Sequence, residues 1–303
     1  MVESYRHTPI AIDSHEPMGR LVCIANWSEG RNNETVHALR EALTWHPVSV
    51  HYAEGDWDHN RTVTAFSGEM QHVAEALMNL CDLAFARIDM RSHRGVHPRI
   101  GALDVCPFVI LQDSVPVHEA KAFVADIAEK ISKEYKLPIF LYELSETGRH
   151  AADLPSLRKG QYEGLFERRL QPDFGPAHPN PKLGASVFGL RDWLIAMNLN
   201  LAAWTTAEAV KIAAIIRSMR TADPRFAGVR ALGFPLKSRG ISQVSMNLTM
   251  PDKTPVDPII DWVKDLASDL GTKVSETELV GVIHRRHVRT ATQLAFVGSQ
   301  ILE

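Results

Sequence analysis

Apolar residues recur along the chain in two patterns, one typical of β-strands and one typical of amphipathic helices. Apolar or alternating runs bounded by turn residues predict strands, and apolar residues three and four positions apart predict helices. The clearest apolar helix face runs from Met70 to Ala84. In order, the first half is predicted to contain strand Leu21–Ala25, helix Asn32–Leu43, strands Val48–Ala53 and Thr62–Gly68, the helix over 70–84, strand Phe108–Gln112, a helix over 120–131 and strand Ile139–Tyr142.

The same order of elements returns after residue 190. It is predicted to comprise strand Leu194–Asn200, helix Thr206–Ser218, strands Val229–Phe234 and Ile241–Leu248, helix Asp257–Leu270 and strand Val274–Glu278. The order β-α-β-β-α-β is that of a ferredoxin-like unit. We therefore expect an α+β protein of two ferredoxin-like halves, with mixed sheets and with helices on the outer faces. A cleft between the two sheet faces is a natural place for a ligand.

The composition favours a globular protein that binds neither nucleic acid nor membranes. At 303 residues the chain can bury a large core and is predicted to divide into two domains. Hydrophobic residues make up 45% and charged residues 23%, which is ordinary for a globular protein. A formal net charge of −3 gives no field that would attract nucleic acid or an anionic membrane.

The cysteine pattern and the chain start indicate a cytoplasmic protein. The three cysteines, Cys23, Cys81 and Cys106, lie in apolar or mixed surroundings without CxxC spacing, which disfavours a disulfide framework or a zinc ribbon. The first fifteen residues lack the apolar core of a signal peptide. No run approaches the roughly 18 apolar residues of a membrane helix. We therefore expect a soluble protein of the reducing cytoplasm.

The sequence from Ser92 to Phe108, SHRGVHPRIGALDVCPF, predicts a constrained loop that carries chemistry. Pro98 blocks a helix interior, and glycines at 95 and 101 permit unusual backbone angles. The apolar run Val105–Leu111 would hold the loop against the core. His97 at its centre is a candidate general acid or base, because imidazole titrates near neutral pH. The alternative is a structural histidine that caps a turn.

A metal site built on His93 and His97 is the other interpretation of this loop. Four residues is a ligand spacing on a helix, but Gly95 and Pro98 disfavour a helix here. No carboxylate or cysteine pattern completes the ligand set. We therefore expect no metal.

Two further polar loops are candidate binding sites. Between the predicted second and third strands, Asn60 and Arg61 could bind a carboxylate, which arginine does with two hydrogen bonds, or they belong to a solvated hairpin turn. The segment Asn26–Arg31 leaves the first strand and enters a helix. Its backbone amides could receive an anion, or Ser28 or Asn32 simply caps the helix.

The segment from Ala151 to Gly184 breaks the regular pattern. It holds five prolines, at 155, 172, 176, 179 and 181, and four glycines, at 160, 164, 175 and 184. The stretch Gly175–Gly184, GPAHPNPKLG, cannot form regular helix or strand. It is therefore either a linker or a binding loop.

Together, these loops resemble the formiminotransferase domain of the glutamate formimidoyltransferase family. The resemblance spans roughly residues 21 to 282, and long unusual strings recur in the family's order. The strings are IANWSEGRN at 24–32, DHNRTVTAFSG at 58–68, HRGVHPRIGALDVCPF at 93–108, LRKGQYEGL at 157–165, PDFGP at 172–176 and QVSMNLT at 243–249.

The resemblance implies a homodimer with a folate-binding tunnel between two ferredoxin-like subdomains. The implied reaction moves a formimino group from N-formimino-L-glutamate to tetrahydrofolate, a co-substrate in histidine degradation and one-carbon metabolism. His97 falls on the catalytic histidine of the family, and Arg99 and Asn60 are candidates for holding glutamate or the intermediate. The implied folate-binding residues are Gly175, Pro176, Ala177, His178, Pro179, Asn180, Pro181, Lys182, Leu183 and Gly184.

Departures from the family pattern leave two alternatives open. Glu54 falls in a stretch where family members commonly carry aspartates, so it could replace a substrate-facing carboxylate. The alternatives are a folate-dependent transferase with another donor, such as N-formylglutamate, and a non-catalytic folate-binding protein. We expect an N-terminal extension at 1–20 and subdomains at 21–190 and 191–303. With no cyclodeaminase domain in this sequence, we expect the product to diffuse to another enzyme.

Overall fold

The computed structural model describes residues 19–111, 114–202 and 206–303, so nearly all of the expected N-terminal extension lies outside the described residues. The described part of residues 20–190 contains six strands and five α-helices. The strands are β1 (Arg20–Trp27), β2 (Ser49–Asp56), β3 (Arg61–Glu69), β4 (Leu103–Ile110), β5 (Ile139–Leu141) and β6 (Ser186–Leu190). The helices are α1 (Asn33–Leu43), α2 (Met70–Arg87), α3 (Val117–Tyr135) and the short α4 (Leu154–Leu157) and α5 (Gln161–Gly164).

The first sheet has the strand order β2-β3-β1-β4-β6-β5. Its first four strands are antiparallel and follow the ferredoxin-like order, as predicted, whereas β4, β6 and β5 pair in parallel. The sequence analysis did not identify β6. Its five residues, SVFGL, follow the irregular segment and form a strand because they fill the place between β4 and β5.

The boundary of β4 differs from the prediction. The strand was expected at Phe108–Gln112 but begins at Leu103 and ends at Ile110, and Gln112 lies outside the described residues. Pro107 lacks a backbone N–H, which disfavours the interior of a strand. The sheet accommodates it by pairing Asn26 with Val105 and Cys23 with Phe108, with no β1 partner for Pro107. The histidine loop therefore ends near Ala102.

Different parts of the chain pack on the two faces of the first sheet. Helices α1, α2 and α3 pack on the face formed in β1 by Leu21, Cys23, Ala25 and Trp27. The opposite face, which includes Val22 and Ile24, packs against residues from the end of the chain such as Val282 and Leu302. The helices therefore lie on the outside, and the second half of the chain covers the inner face.

The second half contains a separate four-stranded sheet. Its elements are β7 (Ile195–Leu201), α6 (Ala207–Ala222), β8 (Val229–Leu236), β9 (Ile241–Leu248), α7 (Val256–Asp269) and β10 (Val274–Val280). The order β10-β7-β9-β8 is again ferredoxin-like, and one apolar core joins the sheet to both helices. Unlike the first sheet, this one is antiparallel throughout, because it has no appended parallel strand.

The end of the chain returns to the first half. Strands β11 (Ile283–His284) and β12 (Ile301–Leu302) pair in parallel as a separate two-stranded sheet. Close to β12, the Ser299 carbonyl oxygen lies 2.9 Å from His51 Nδ1 on β2. No helix among the described residues is long and apolar enough to cross a membrane.

Candidate active site

The loop that carries His97 is held by backbone hydrogen bonds on both sides. Val96 N–H donates to the Asp58 carbonyl oxygen at 3.2 Å, which ties the loop to the β2–β3 turn. On the other side, Ala102 N–H donates to the Leu183 carbonyl oxygen at 2.9 Å, and Ala185 N–H donates to that of Ile100 at 3.0 Å. The loop therefore lies between the β2–β3 turn and the end of the segment 175–184.

Glycine is required where these backbones meet. A Cβ atom on Gly101 would lie 2.0 Å from the Ala185 carbonyl oxygen, and one on Gly184 would lie 2.1 Å from that of Ile100. Gly184 also has a φ of +78°, a conformation that other residues rarely adopt. The predicted folate-binding segment therefore ends in direct backbone contact with the histidine loop.

His97 is half-buried, and its ring nitrogens contact Pro98 and Arg61. Its Nδ1 lies 2.8 Å from the Pro98 carbonyl oxygen, which can only accept, so we assign the ring proton to Nδ1. Nε2 then carries the lone pair; Arg61 Nη1 lies 2.7 Å from Nε2 and 2.6 Å from Nδ1, and of the two it can donate only to Nε2. The Arg61 guanidinium also donates to Asn26 Oδ1 through Nε at 3.1 Å and through Nη2.

This environment favours the neutral form of His97. Burial lowers its pKa well below the ordinary value of 6.5, and the positive charges of Arg61 and Arg158 lower it further. Burial also lowers the pKa of Arg61, to about 10, so its guanidinium stays charged at neutral pH. At neutral pH, His97 is therefore a free base.

The second half of the chain contributes one aromatic ring, Phe234, to this site. The Phe234 ring on β8 lies 5.7 Å from the His97 ring and 5.1 Å from the His59 ring, measured between centroids. Nearby, the Asp58 carboxylate accepts hydrogen bonds from Ser238 N–H at 3.1 Å and from Ser238 Oγ at 2.5 Å. His97 thus lies where the two halves of the chain meet.

Asn60 and Arg99, the expected glutamate-binding residues, make several contacts within the protein. Asn60 has a φ of +49°; its Oδ1 accepts from Gly30 N–H at 3.0 Å and its Nδ2 donates to the Arg94 carbonyl oxygen at 2.9 Å. The buried Arg99 guanidinium makes two 2.8 Å hydrogen bonds to the Glu163 carboxylate. Their role toward a substrate stays a prediction.

A cavity of about 390 Å³ lies beside Asn60 in the β2–β3 turn. Its lining residues are Ser28, Glu29, Arg31, Asn32, Asn60, Arg87, Ile88, Asp89, Ser92 and His93. His93 lines this cavity; its Nε2 contacts the Asn60 carbonyl oxygen at 2.8 Å and its Nδ1 accepts from Arg99 Nε at 3.2 Å. No cluster of three or more potential metal ligands occurs among the described residues.

Glu54 lies on β2 in an exposed ion pair with Arg40 of α1, at 2.9 Å. Arg40 also donates to the carbonyl oxygen of Ala53 at 2.7 Å. Glu54 pairs in register with Val63 of the inner face, so Arg40 reaches it around the edge strand β2. A contact between Glu54 and a substrate stays a prediction.

The segment 175–184 is folded on itself by Asn180. Asn180 Oδ1 accepts from the backbone N–H groups of Lys182 and Leu183, both at 3.0 Å. The Lys182 ammonium donates to the Phe85 carbonyl oxygen at 2.6 Å and to that of Ala86 at 3.1 Å, near the carboxyl end of α2. The segment is therefore an ordered loop and not a loose linker.

A second cavity, of about 400 Å³, opens at the start of this loop. Its lining residues are Arg149, Arg169, Leu170, Gln171, Pro172, Gly175 and Ala177. Nearby, the carboxylate of Asp173 contacts His150 Nε2 at 2.7 Å. Two arginines thus lie beside the first residues of the predicted folate-binding segment.

Sequence reasoning named the histidine loop but missed several of the groups around it. Phe234 was assigned only to a strand, and the contact between His59 and His97 was not anticipated. The pairing of Arg61 with Asn26 joins two loops that were considered separately. The strings IANWSEGRN and DHNRTVTAFSG contained a signal for it, since both carry polar residues at strand ends.

Comparison with known families matches both halves of the chain. The family model described as "Formiminotransferase domain, N-terminal subdomain" matches residues 20–191. The model described as "Formiminotransferase domain" matches residues 196–300. The two matches together include every residue of the site described above.

Curated relatives agree with the family matches. A glutamate formimidoyltransferase of Streptococcus pyogenes is 36% identical over 271 residues, which cover 88% of this chain and 89% of the relative. A glutamate formimidoyltransferase of Thermoplasma acidophilum is 34% identical, with 88% of each chain covered. The formimidoyltransferase-cyclodeaminase of Rattus norvegicus is 34% identical over 88% of this chain, which spans 50% of that relative's length.

Proposed function

The chain belongs to the formiminotransferase family, and we propose that it transfers the formimino group of N-formimino-L-glutamate to tetrahydrofolate. The products are 5-formiminotetrahydrofolate and L-glutamate. Relatives named glutamate formimidoyltransferase that align over nearly their whole length support this reaction. One structural observation carries the proposal, namely that His97 lies at the junction of the two halves, between Arg61 and the Phe234 ring.

The reaction needs one group that first accepts and then returns a proton. The N5 nitrogen of tetrahydrofolate attacks the formimino carbon and forms a new C–N bond, and its proton passes to Nε2 of His97. The tetrahedral intermediate then breaks its C–N bond to the glutamate nitrogen. His97 returns the proton to that nitrogen, and L-glutamate leaves. A positioned acid or base of this kind contributes about two to four orders of magnitude to the rate.

Arg61 is the residue that must respond to the substrate. Its Nη1 donates to the same Nε2 lone pair that would accept the proton. The donor substrate carries carboxylates, and a guanidinium binds a carboxylate more strongly than it binds a neutral imidazole. We assign Arg61 to the substrate carboxylate, which frees Nε2. Asn60 and Arg99 then position the loop, and holding both substrates side by side supplies much of the acceleration.

The folate would bind along the segment Gly175–Gly184, whose last glycine touches the histidine loop. The remaining parts of the proposal rest on family membership and composition. They are a tunnel between subdomains 21–190 and 191–303, a homodimer, a cytoplasmic location and a place in histidine degradation and one-carbon metabolism. Tetrahydrofolate is a co-substrate here, and the proposed chemistry uses no metal.

Turnover with both substrates tests the proposed function. Purified protein is given N-formimino-L-glutamate and tetrahydrofolate, and the folate product and released glutamate are quantified together. Equal amounts of both products are expected. N-formylglutamate serves as the competing donor. Absence of formimino transfer at saturating concentrations would overturn the proposal, and folate binding without consumption of any donor would favour the non-catalytic alternative.

A further inference from the structure

A row of four residues crosses the inner face of the second sheet and ends beside His97. In register, Phe234 on β8 pairs with Gln243 on β9, Gln243 with Asn200 on β7, and Asn200 with Glu276 on β10. Residues paired in this way share one face of a sheet, with Cβ atoms roughly 5 Å apart. Phe234 contacts the His97 ring, so Gln243 is the next residue in the row from the catalytic base.

Hydrogen bonds along this row fix the direction of both side-chain amides. The Glu276 carboxylate accepts from Arg239 Nη2 at 2.7 Å and from Asn200 Nδ2 at 3.0 Å. Hydrogen bonds from Asn200 and Arg239 lower the pKa of Glu276, so it is ionised and can only accept. Asn200 must therefore turn its NH₂ toward Glu276 and its oxygen toward Gln243.

The orientation of Asn200 in turn fixes the orientation of the Gln243 amide. Its Nε2 donates to Asn200 Oδ1 at 2.9 Å, and turning either amide over would place two acceptors or two donors against each other. Among the described residues, Gln243 Oε1 has no hydrogen-bond partner, although Gln243 and Asn200 are both 0% exposed. Buried polar atoms are nearly always hydrogen-bonded, so this oxygen calls for a donor that comes from outside the chain.

We propose that Gln243 Oε1 accepts a hydrogen bond from the imino nitrogen of the donor substrate and so selects a formimino group over a formyl group. This inference rests on the proposed function. The two groups have similar size but opposite polarity at this position, because a formimino group presents N–H and a formyl group presents a carbonyl oxygen. An oxygen held as a fixed acceptor binds the first and repels the second, which is an efficient way to discriminate.

The test compares the two donors in the Gln243→Met variant, which keeps the side chain's size but removes its hydrogen-bonding atoms. For each protein, kcat/KM is measured for formimino transfer, and the inhibition constant of N-formylglutamate against that reaction is measured in parallel. We expect kcat/KM for the formimino donor to fall roughly 10- to 100-fold, the usual effect of leaving a buried N–H donor without an acceptor. N-formylglutamate should inhibit as well as before or better.

Asn247→Met is the matched control. Asn247 lies on the same face of the same strand but is exposed, and both constants should stay at wild-type values. Equal weakening of both donors in Gln243→Met would mean a structural role and would overturn the inference. An unchanged preference between the donors would also overturn it. If wild-type protein transfers no formimino group, the proposed function itself fails.

A second variant covers the case in which Gln243→Met does not fold. Glu276→Gln changes an exposed side chain and removes the charge that fixes the direction of both amides. Asn200 and Gln243 could then turn over, so the preference for the formimino donor should fall, by less than in Gln243→Met. If a folded Glu276→Gln protein kept its full preference for the formimino donor, Glu276 would not fix the direction of the Asn200 and Gln243 amides, and the inference would be contradicted.

Discussion

Arg61 Nη1 lies 2.6 Å from Nδ1 and 2.7 Å from Nε2 of His97, so one guanidinium nitrogen contacts both nitrogens of the imidazole ring. The two residues are 36 positions apart: Arg61 is the first residue of β3, and His97 lies in the histidine loop. This contact, together with burial, keeps the ring uncharged and makes His97 a base whose strength depends on Arg61.

Replacing Arg61 should change the pH dependence of turnover. His97 acts as a base only when neutral, so wild-type kcat/KM should fall only as pH drops through its lowered pKa, well below 6.5. Arg61→Met removes one cause of that shift, so the acidic limb of the profile should move to higher pH. The profile of kcat/KM against pH measures this, because kcat/KM reports the free enzyme, in which Arg61 contacts His97. Arg40→Met, a partly exposed arginine on α1, is the control and should leave the limb in place.

Gly184→Ala should destabilise the protein and displace the histidine loop. The added methyl group would lie 2.1 Å from the Ile100 carbonyl oxygen, in addition to the strain of a positive φ. Gly271→Ala is the matched control, because its φ of +75° is similar but no atom of the described residues lies within 4 Å of the added Cβ. The control should lose about 1–2 kcal/mol of unfolding free energy.

Gly184→Ala should lose clearly more unfolding free energy than Gly271→Ala does. Its turnover should fall as well, because the histidine loop is displaced. Denaturant unfolding and kcat, measured on both variants, check this. Equal losses in the two variants would show that the backbone contact between Gly184 and Ile100 is loose.

The hydrogen-bonded pair of His150 and Asp173 should make stability depend on pH in a defined direction. The Asp173 carboxylate raises the pKa of His150 above 6.5. The folded chain then holds this proton more tightly than the unfolded chain, so the added stability is complete below about pH 6.5 and is lost as pH rises through the raised pKa.

His150→Leu should therefore reduce the unfolding free energy most at low pH. We expect a loss of roughly 1.5–3 kcal/mol of unfolding free energy at pH 6, the range for hydrogen bonds to charged groups, and a smaller loss at pH 9. Urea unfolding at the two pH values measures it. His118→Leu is the control, since that side chain is 83% exposed. A loss that is equal at both pH values would exclude a charged His150 as the cause.

Local pattern was enough to predict both ferredoxin-like halves, because each strand and helix repeats its apolar positions within a few residues. It failed at β4 and β6 for different reasons. Pro107 disfavours a strand, and its tolerance depends on how β1 pairs, which a local pattern does not contain. The five residues of β6 follow an irregular segment and gain their partners from residues about fifty to eighty positions earlier.

The candidate site was predictable only in part for a similar reason. His97 lies in a string whose residue types are unusual by themselves, so the string draws attention to it. Phe234 and Gln243 look like ordinary strand residues, and their meaning comes from the packing of one sheet on the other. The unpaired oxygen of Gln243 depends on Glu276 two strands away, which no spacing in the sequence reveals.

The most direct measurement of the central claim is the rate of 5-formiminotetrahydrofolate formation by wild-type protein and by His97→Ala, with folate affinity measured on both. The account predicts transfer by the wild type and a fall in kcat of about two to four orders of magnitude in the variant. Folate affinity should change little, because the proton moves only during the reaction. Near-wild-type turnover in His97→Ala would remove His97 from the mechanism and contradict the account.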